Sequence, residues 1–478
     1  MSKPSAHLYK LYTIQLAIEM ILFSHNSFRG AMKNFNLFGR YHPVETPSWV
    51  TIENWVLRFG LHQLQKKKEK RDDWIFILDH TVQSGTQKGL VILGVPMAQL
   101  NETGYNLSHQ DTQVLKIIID NHSTGEMIVQ YLDDLSEEVG VPMQIISDHG
   151  SDIKKGIELF CEKHETVCYT YDITHDIGLL LKKLLEHNEE WKAFSAWCSQ
   201  LRKKVLQTNL GFLAPPVQKT KARYLNLSSL IRWSKNILNY EAKGNFNLID
   251  PSCLLDQNTL MSLIPEEFMT EELLSIADKT YDNSEDFLAA IEDKINPERR
   301  VDIQEILLNS VDIGQQRFNE YFSGIHEFEN EIAEYIELIN VVHLVEKQVK
   351  NKGLSKQSVH EFKENLNTLK VKGFMPNQLV QSIIGYLKNE GKEIPEGQNW
   401  LCTSDIIESI FGKYKLFSSK TKLQGISKLV LAIPAFVADI TLDEVKESLE
   451  SIRSIDVKEW VDDNLGQSLL SKRMEAFQ

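Results

Sequence analysis

The sequence changes its period at Trp74 and again after Tyr171: between them apolar residues come in short β-branched runs, and on either side they recur at helical spacing. Residues 74–79, 89–95 and 114–120 read as three strands, punctuated by Gly85 and Gly94. Residues 124–139 then place Met127, Ile128, Tyr131, Leu132 and Leu135 on one helical face. A buried strand follows over 142–147, a second helix over 153–161 and a fifth strand over 166–171. Strands and helices in this order predict an α/β fold on a mixed sheet.

The flanks are helical. Within residues 7–70, the hydrophobic stretch 12–23 is interrupted by Gln15 and Glu19 and has no small-residue cleavage site, so it reads as a helix rather than a signal peptide. A short helix over 27–38 and a turn through 39–43 lead to a longer helix. That one has Thr46 as N-cap and Pro47 at its first position, and runs through Trp49, Ile52, Trp55, Val56 and Phe59. Two helices joined by a polar turn fit a helix-turn-helix, and fit equally a small bundle packed on the next domain. From Ile177 to Gln398 the pattern is helical almost throughout, broken at Pro215–Pro216, Gly244, Pro251, Pro265, Pro297 and Pro376, with no recurring repeat. Beyond Thr403 come a helix to Tyr414, an apolar run over 426–437 broken by Pro434, and two amphipathic helices from Leu442. The expected divisions are therefore 1–72, 73–178, 179–400, 401–440 and 441–478.

No run of about 18 apolar residues is present, which speaks against a membrane span. The five cysteines, Cys161, Cys168, Cys198, Cys253 and Cys402, are scattered and never in a CxxC pair, as in a reducing intracellular compartment.

Three acids stand out by position. Asp79 closes the first predicted strand, in Ile75-Phe76-Ile77-Leu78-Asp79-His80, and Asp148 follows the fourth, in Ile145-Ile146-Ser147-Asp148-His149-Gly150. Strand ends deliver side chains to the rim of a sheet, so these carboxylates converge if the two strands are neighbours. Two carboxylates at one rim repel unless a cation compensates. Either one alone is more simply a turn-forming aspartate. The third acid, Glu408, lies in a helix that Thr403 or Ser404 can cap. It shares a face with Lys415, beside an apolar stripe of Ile407, Ile410, Phe411 and Tyr414 that suits burial on the sheet.

The blocks Asp79-His80-Thr81, Ser147-Asp148-His149-Gly150-Ser151-Asp152 and Thr403-Ser404-Asp405-Ile406-Ile407-Glu408, the last followed by Phe411-Gly412-Lys413-Tyr414-Lys415, resemble the three acidic regions of DDE-type DNA transposases. The resemblance covers residues 74–180 and 400–440. It implies a ribonuclease H-like core with a mixed sheet, interrupted between the second and third acids by a large all-α insertion and flanked by helical N- and C-terminal regions. It also implies two Mg2+ (or Mn2+) ions about 3.5–4 Å apart, with Asp79 bridging both and Asp148 and Glu408 each holding one. Hard oxygen ligands suit those ions. Lys413 and Lys415 would then touch DNA phosphate. The implied partner is double-stranded DNA, at transposon ends and target, bound by a homodimer or larger assembly inside the cell.

Further basic residues are candidates for DNA contact: Arg58, Lys66 and Lys67 near the N-terminus, and Lys221, Arg223 and Arg232 in the block 202–243. That block holds nine Lys/Arg against one acid, Glu241, interleaved with Tyr224, Trp233 and Tyr240. Trp233 fits a core as well as a stacking platform. A net charge of −14 opposes a DNA partner, although residues 265–293 concentrate acids and so polarise the chain. Two alternatives stand beside the transposase. His175-Asp176, with His80 and His149, invites comparison with HD-type metal-dependent phosphohydrolases, whereas Asp172 or Thr174 as a helix cap is the simpler reading there. A non-catalytic, domesticated transposase acting as a DNA-binding protein would suit the acidic balance, but not three retained acids.

Overall fold

The computed structural model describes residues 3–5, 7–84, 87–208, 210–218, 223–243, 271–277, 290, 318–417, 426–467 and 469–477. The chain forms two compact units: residues 1–176, 345–363 and 384–478, and residues 177–344 and 364–383. Among the described residues no helix is long and apolar enough to cross a membrane.

The first unit is mixed α/β. Its five strands are β1 (Trp74–Ser84), β2 (Gln87–Pro96), β3 (Gln113–Asp120), β4 (Gln144–Ser147) and β5 (Cys168–Tyr171), in the spatial order β3-β2-β1-β4-β5. β2 is antiparallel to both β1 and β3, whereas β4 runs parallel to both β1 and β5. Parallel neighbours need a crossover, and the helices Gly125–Val139 and Ser151–Lys163 supply it. They cover one face of the sheet, where Ile128, Leu132, Ile157 and Phe160 pack on Phe76, Leu78, Leu90, Ile92 and Ile145. The helices touch closely at Gly156, where an added Cβ would lie 2.6 Å from Ile128 Cβ. The alternate residues of β1, Ile75 and Ile77, are equally buried. The helix Asp405–Phe417 packs against β1, and the helices Trp49–Gln65 and Ala432–Phe436 against β3. Burial on both faces explains why these strands read as continuous apolar runs.

The N-terminal helices, Leu11–Leu22, Phe28–Phe38 and Trp49–Gln65, belong to the same unit and form the packed bundle rather than a separate module. Ser48, not Thr46, caps the third of them, its Oγ accepting from Thr51 N at 3.2 Å. Leu57 and Leu61 pack with Leu431, Ile452 and Val457. At Gly60 an added Cβ would stand 1.7 Å from the Leu431 carbonyl oxygen, so only glycine permits this approach.

The all-helical stretch does not all leave the first unit. Residues 345–363 and 384–400 return to it, which shortens the insertion expected over 179–400. The reason lies at β5. Its exposed edge needs partners; the Tyr386 hydroxyl donates to the Tyr171 carbonyl, and Glu390 accepts from Tyr171 N at 2.9 Å. The C-terminal tail carries three helices where two were expected: Leu442–Ser451, Ser454–Asn464 and Leu469–Ala476.

The second unit is helical in its described part. Trp191, Phe194, Trp197, Trp233, Phe328 and Tyr335 form an aromatic cluster within it, including an edge-on pair, Trp191 and Tyr335, at 5.3 Å. Trp233 is half-buried in this cluster, its indole N–H donating to Leu213 O at 2.8 Å.

Candidate active site

Asp79 does not end its strand as expected. β1 continues to Ser84 alongside β2, while its parallel ladder with β4 stops at Leu78 opposite Ser147. Asp79 and Asp148 are the next residues on each strand, so the register carries them opposite one another. Neighbouring strands lie about 4.7–4.9 Å apart, and register partners point to the same face. Leu78 faces the crossover helices, so Asp79 faces the other way, toward the side on which the Asp405–Phe417 helix packs.

That helix behaves as its stripe predicts: Ile407, Ile410, Phe411 and Tyr414 are buried while Glu408 and Lys415 are exposed. Both reach the electrostatic surroundings of Asp79. Burial, and then the charges of Asp148 and Glu408, push the Asp79 carboxyl up to about 8, against a hydrogen bond from His80 N at 2.6 Å and the charge of Lys415. Asp148 is also pushed up, first by burial, although His175 and His80 and a hydrogen bond from Gly150 N oppose it. Asp79 thus feels the charges of Asp148, Glu408 and Lys415.

Asp172 holds this arrangement in place. It is 1% exposed and follows β5 directly. Its Oδ1 accepts from Thr174 N and Oγ1, both at 2.6 Å, and from His175 N at 3.1 Å, capping the helix Ile173–Glu186. Its Oδ2 accepts from Ser404 N at 2.8 Å and from the Ser404 hydroxyl, at the start of the Glu408 helix. Thr403 Oγ1 accepts from Asp405 N at 3.2 Å, so Thr403 is the side-chain cap and Ser404 the tether. One carboxylate thus pins the third-acid helix to the rim that carries Asp148. Asp172→Ala leaves these donors without an acceptor and is expected to cost roughly 2–4 kcal/mol in equilibrium urea unfolding. A variant as stable as the parent would remove the clamp.

A second charged cluster borders the site and brings Lys88, which the sequence did not single out, to His80 and Asp152. Lys88 Nζ donates to Asp152 Oδ2 at 2.8 Å, and His80 Nε2 lies 3.1 Å from the same oxygen. Burial raises the Asp152 carboxyl, but hydrogen bonds from Lys88 and Ser123 outweigh it and hold the group well below the usual carboxylate range. The signal in the sequence was a lysine inside an otherwise apolar strand. On the Asp148 side, His149 stacks on Tyr171 with centroids 3.6 Å apart, and burial with Lys154 and His175 lowers its pKa to about 4. His175 and Asp176 occupy the first turn of a helix that follows a strand.

The other basic candidates separate by what they touch. Arg58 donates to the Ile452 carbonyl at 2.6 Å and to the Leu449 carbonyl, and so fastens the N-terminal bundle to the C-terminal helices. Lys66 pairs with Glu444 at 2.6 Å, whereas Lys67 is exposed. Lys413 donates to His109 Nδ1 at 2.7 Å, with His109 Nε2 3.0 Å from Ser409 Oγ. Lys413 is therefore half-buried against His109 and the Phe436 ring. In the second unit Arg232 is exposed. Arg223 lies in a short turn, Arg223–Asn226, of which only the backbone is described, and Lys221 lies outside the described residues.

Three carboxylates would offer oxygen-only ligands that fit magnesium or manganese, and a carboxyl pushed up to about 8 by burial and by its neighbours is a group that a cation would ionise. Among the described residues, the one group of three ligating side chains whose donor atoms all fall within 4.8 Å of each other is elsewhere, at His62, Glu444 and Glu447. Among the described residues the acids around Asp79 do not form such a group. Neither protein-family models nor curated proteins give a match to this chain.

Proposed function

We propose that this chain is a metal-dependent DNA transposase of the DDE type, which cleaves phosphodiesters at transposon ends and joins them to target DNA. The observation that carries the reading is the convergence at Asp79: a register neighbour, Asp148, and a residue far along the chain, Glu408, both raise its pKa. The strand order β3-β2-β1-β4-β5, with β2 antiparallel and two crossover helices, supports a ribonuclease H-like core. The second unit, made of residues between Asp148 and Glu408, supports the helical insertion.

In this reading Asp79, Asp148 and Glu408 hold two magnesium or manganese ions, which when bound activate the attacking oxygen and stabilise charge on the phosphate and leaving oxygen. The chain's own residues do the positioning. The β1–β4 register sets Asp79 beside Asp148, Asp172 anchors the helix that presents Glu408, and Lys415 offers an exposed cation for a DNA phosphate beside the acids. The working partner is duplex DNA, bound by a dimer or larger assembly so that two ends are held together.

The test is cleavage of an end-labelled duplex carrying the DNA that flanks the gene, with Mg2+ or Mn2+ and with EDTA. Metal-dependent nicking supports the reading, and no cleavage with either ion overturns it. Binding gives a separate readout. Lys67→Ala and Lys415→Ala are each expected to weaken DNA binding and reduce the salt slope of log K by about one unit. Arg58→Ala, by contrast, is expected to lower thermal stability through its lost carbonyl contacts. An unchanged slope in both lysine variants would remove those two contacts.

A further inference from the structure

We propose a structural zinc site at His62, Glu444 and Glu447, separate from the Asp79 cluster, that cross-links the Trp49–Gln65 helix to the Leu442–Ser451 helix. One ligand atom from each of the three residues lies within 4.8 Å of the other two. The imidazole carries the argument. His62 is 7% exposed, and its Nε2 is buried without a hydrogen-bond partner. A buried nitrogen left in that state costs about 1–3 kcal/mol, so it calls for an occupant.

The other ring nitrogen fixes what that occupant is. The Ser451 hydroxyl lies 2.7 Å from the Glu447 carbonyl and 3.0 Å from His62 Nδ1. With its proton on that carbonyl its oxygen accepts from Nδ1–H, and Nε2 then presents a lone pair. A buried ring with a hydrogen bond on one nitrogen and no partner on the other, grouped with two carboxylates, is the arrangement of a metal-ligating histidine. Nitrogen with two carboxylate oxygens suits zinc, whereas magnesium prefers oxygen alone and keeps its water.

Glu444 now accepts from Lys66 Nζ at 2.6 Å and from Gln63 Nε2 at 2.9 Å. Lys66 is 43% exposed and free to swing into solvent, so the cation replaces an ammonium and the Gln63 contact can stay as an orienting bond. Glu444 and Glu447 are one helical turn apart, so both carboxylates project from one face. Zinc there would tie the N-terminal bundle to the C-terminal helices at the contact Arg58 also braces.

The experiment is zinc titration of the full chain by calorimetry, with Co2+ as a spectroscopic substitute and the melting temperature followed in parallel. One equivalent is expected to bind at this site, beyond any zinc taken by the acids around Asp79, to raise the melting temperature and to give visible Co2+ absorption bands. Glu447→Gln, at an exposed position, should weaken binding on the order of tenfold or more without unfolding the protein. Glu444→Gln should do the same. The Asp79→Asn/Asp148→Asn double variant should keep the equivalent that depends on Glu447 and lose any zinc taken by the acids around Asp79, which separates this site from the proposed catalytic one. No zinc bound by the parent, or binding unaffected by Glu447→Gln, overturns the proposal: His62 would then simply be a buried imidazole beside two carboxylates.

Discussion

Asp79→Asn is expected to abolish magnesium-dependent strand cleavage, a loss of at least about a thousandfold, while making the protein more stable. The two effects have one cause. Burial and the charges of Asp148 and Glu408 push the Asp79 carboxyl up to about 8, against a usual value near 4. Between those values the unfolded chain has lost a proton that the folded protein keeps, so stability falls as pH rises through the window. Asn removes that loss. The gain in unfolding free energy over the parent should be small near pH 5 and grow to on the order of several kcal/mol by pH 8, before metal is added. Magnesium reverses the order: it binds only the ionised carboxylate, so parent affinity should climb with pH up to about 8 while the variant shows little binding. Asp148→Asn should share the loss of cleavage. Wild-type cleavage in either variant, or a stability difference that does not change with pH, would break the link between this cluster and a cation.

The sheet was legible because its strands are buried on both faces, which writes them as short β-branched runs. The position of Asp79 within β1 was not. His80, Thr81 and Val82 continue a strand-forming sequence, and what makes Asp79 a rim residue is the end of a different strand at Ser147. Glu408 was legible through the stripe Ile407, Ile410, Phe411 and Tyr414, which left it no other side to face. Asp172 could be read as a cap for the helix that follows it, because that bond is local. Its second half, at Ser404, depends on a residue 232 positions away. The contacts of Arg58 were hidden for the same reason: the carbonyls it serves lie at Leu449 and Ile452, and a lone arginine on a helix looks alike whether it meets phosphate or backbone. The return of residues 345–363 and 384–400 to the sheet was equally hidden. Helices that cover β5 and helices that leave it share one period.

Glu408→Gln and His175→Ala should separate the transposase from the phosphohydrolase reading by opposite outcomes. Both residues lie near the acids: Glu408 raises Asp79, and His175 opposes the rise of Asp148. They get there differently. Glu408 is presented by a helix whose start is pinned through Asp172, with its own side chain exposed toward the rim. His175 gives its backbone N–H to that same Asp172 at 3.1 Å and sits in a capped first turn after a strand. An HD-type site instead needs the His-Asp pair inside a helical bundle with its imidazole on the metal. Glu408→Gln exchanges a charged oxygen ligand for a neutral amide, which holds magnesium poorly and leaves the ions undercompensated. Cleavage of the labelled duplex should therefore fall by at least about a hundredfold while the fold is kept, since the residue is exposed. His175→Ala keeps the backbone bond to Asp172 and loses only a neighbouring charge, so cleavage should stay within about tenfold of the parent, with an altered pH profile as Asp148 loses a group that holds its pKa down. Run on the duplex and on a nucleotide panel side by side, the reverse pattern, with His175→Ala inactive and Glu408→Gln normal, would move the metal to the His175-Asp176 turn and end the transposase assignment.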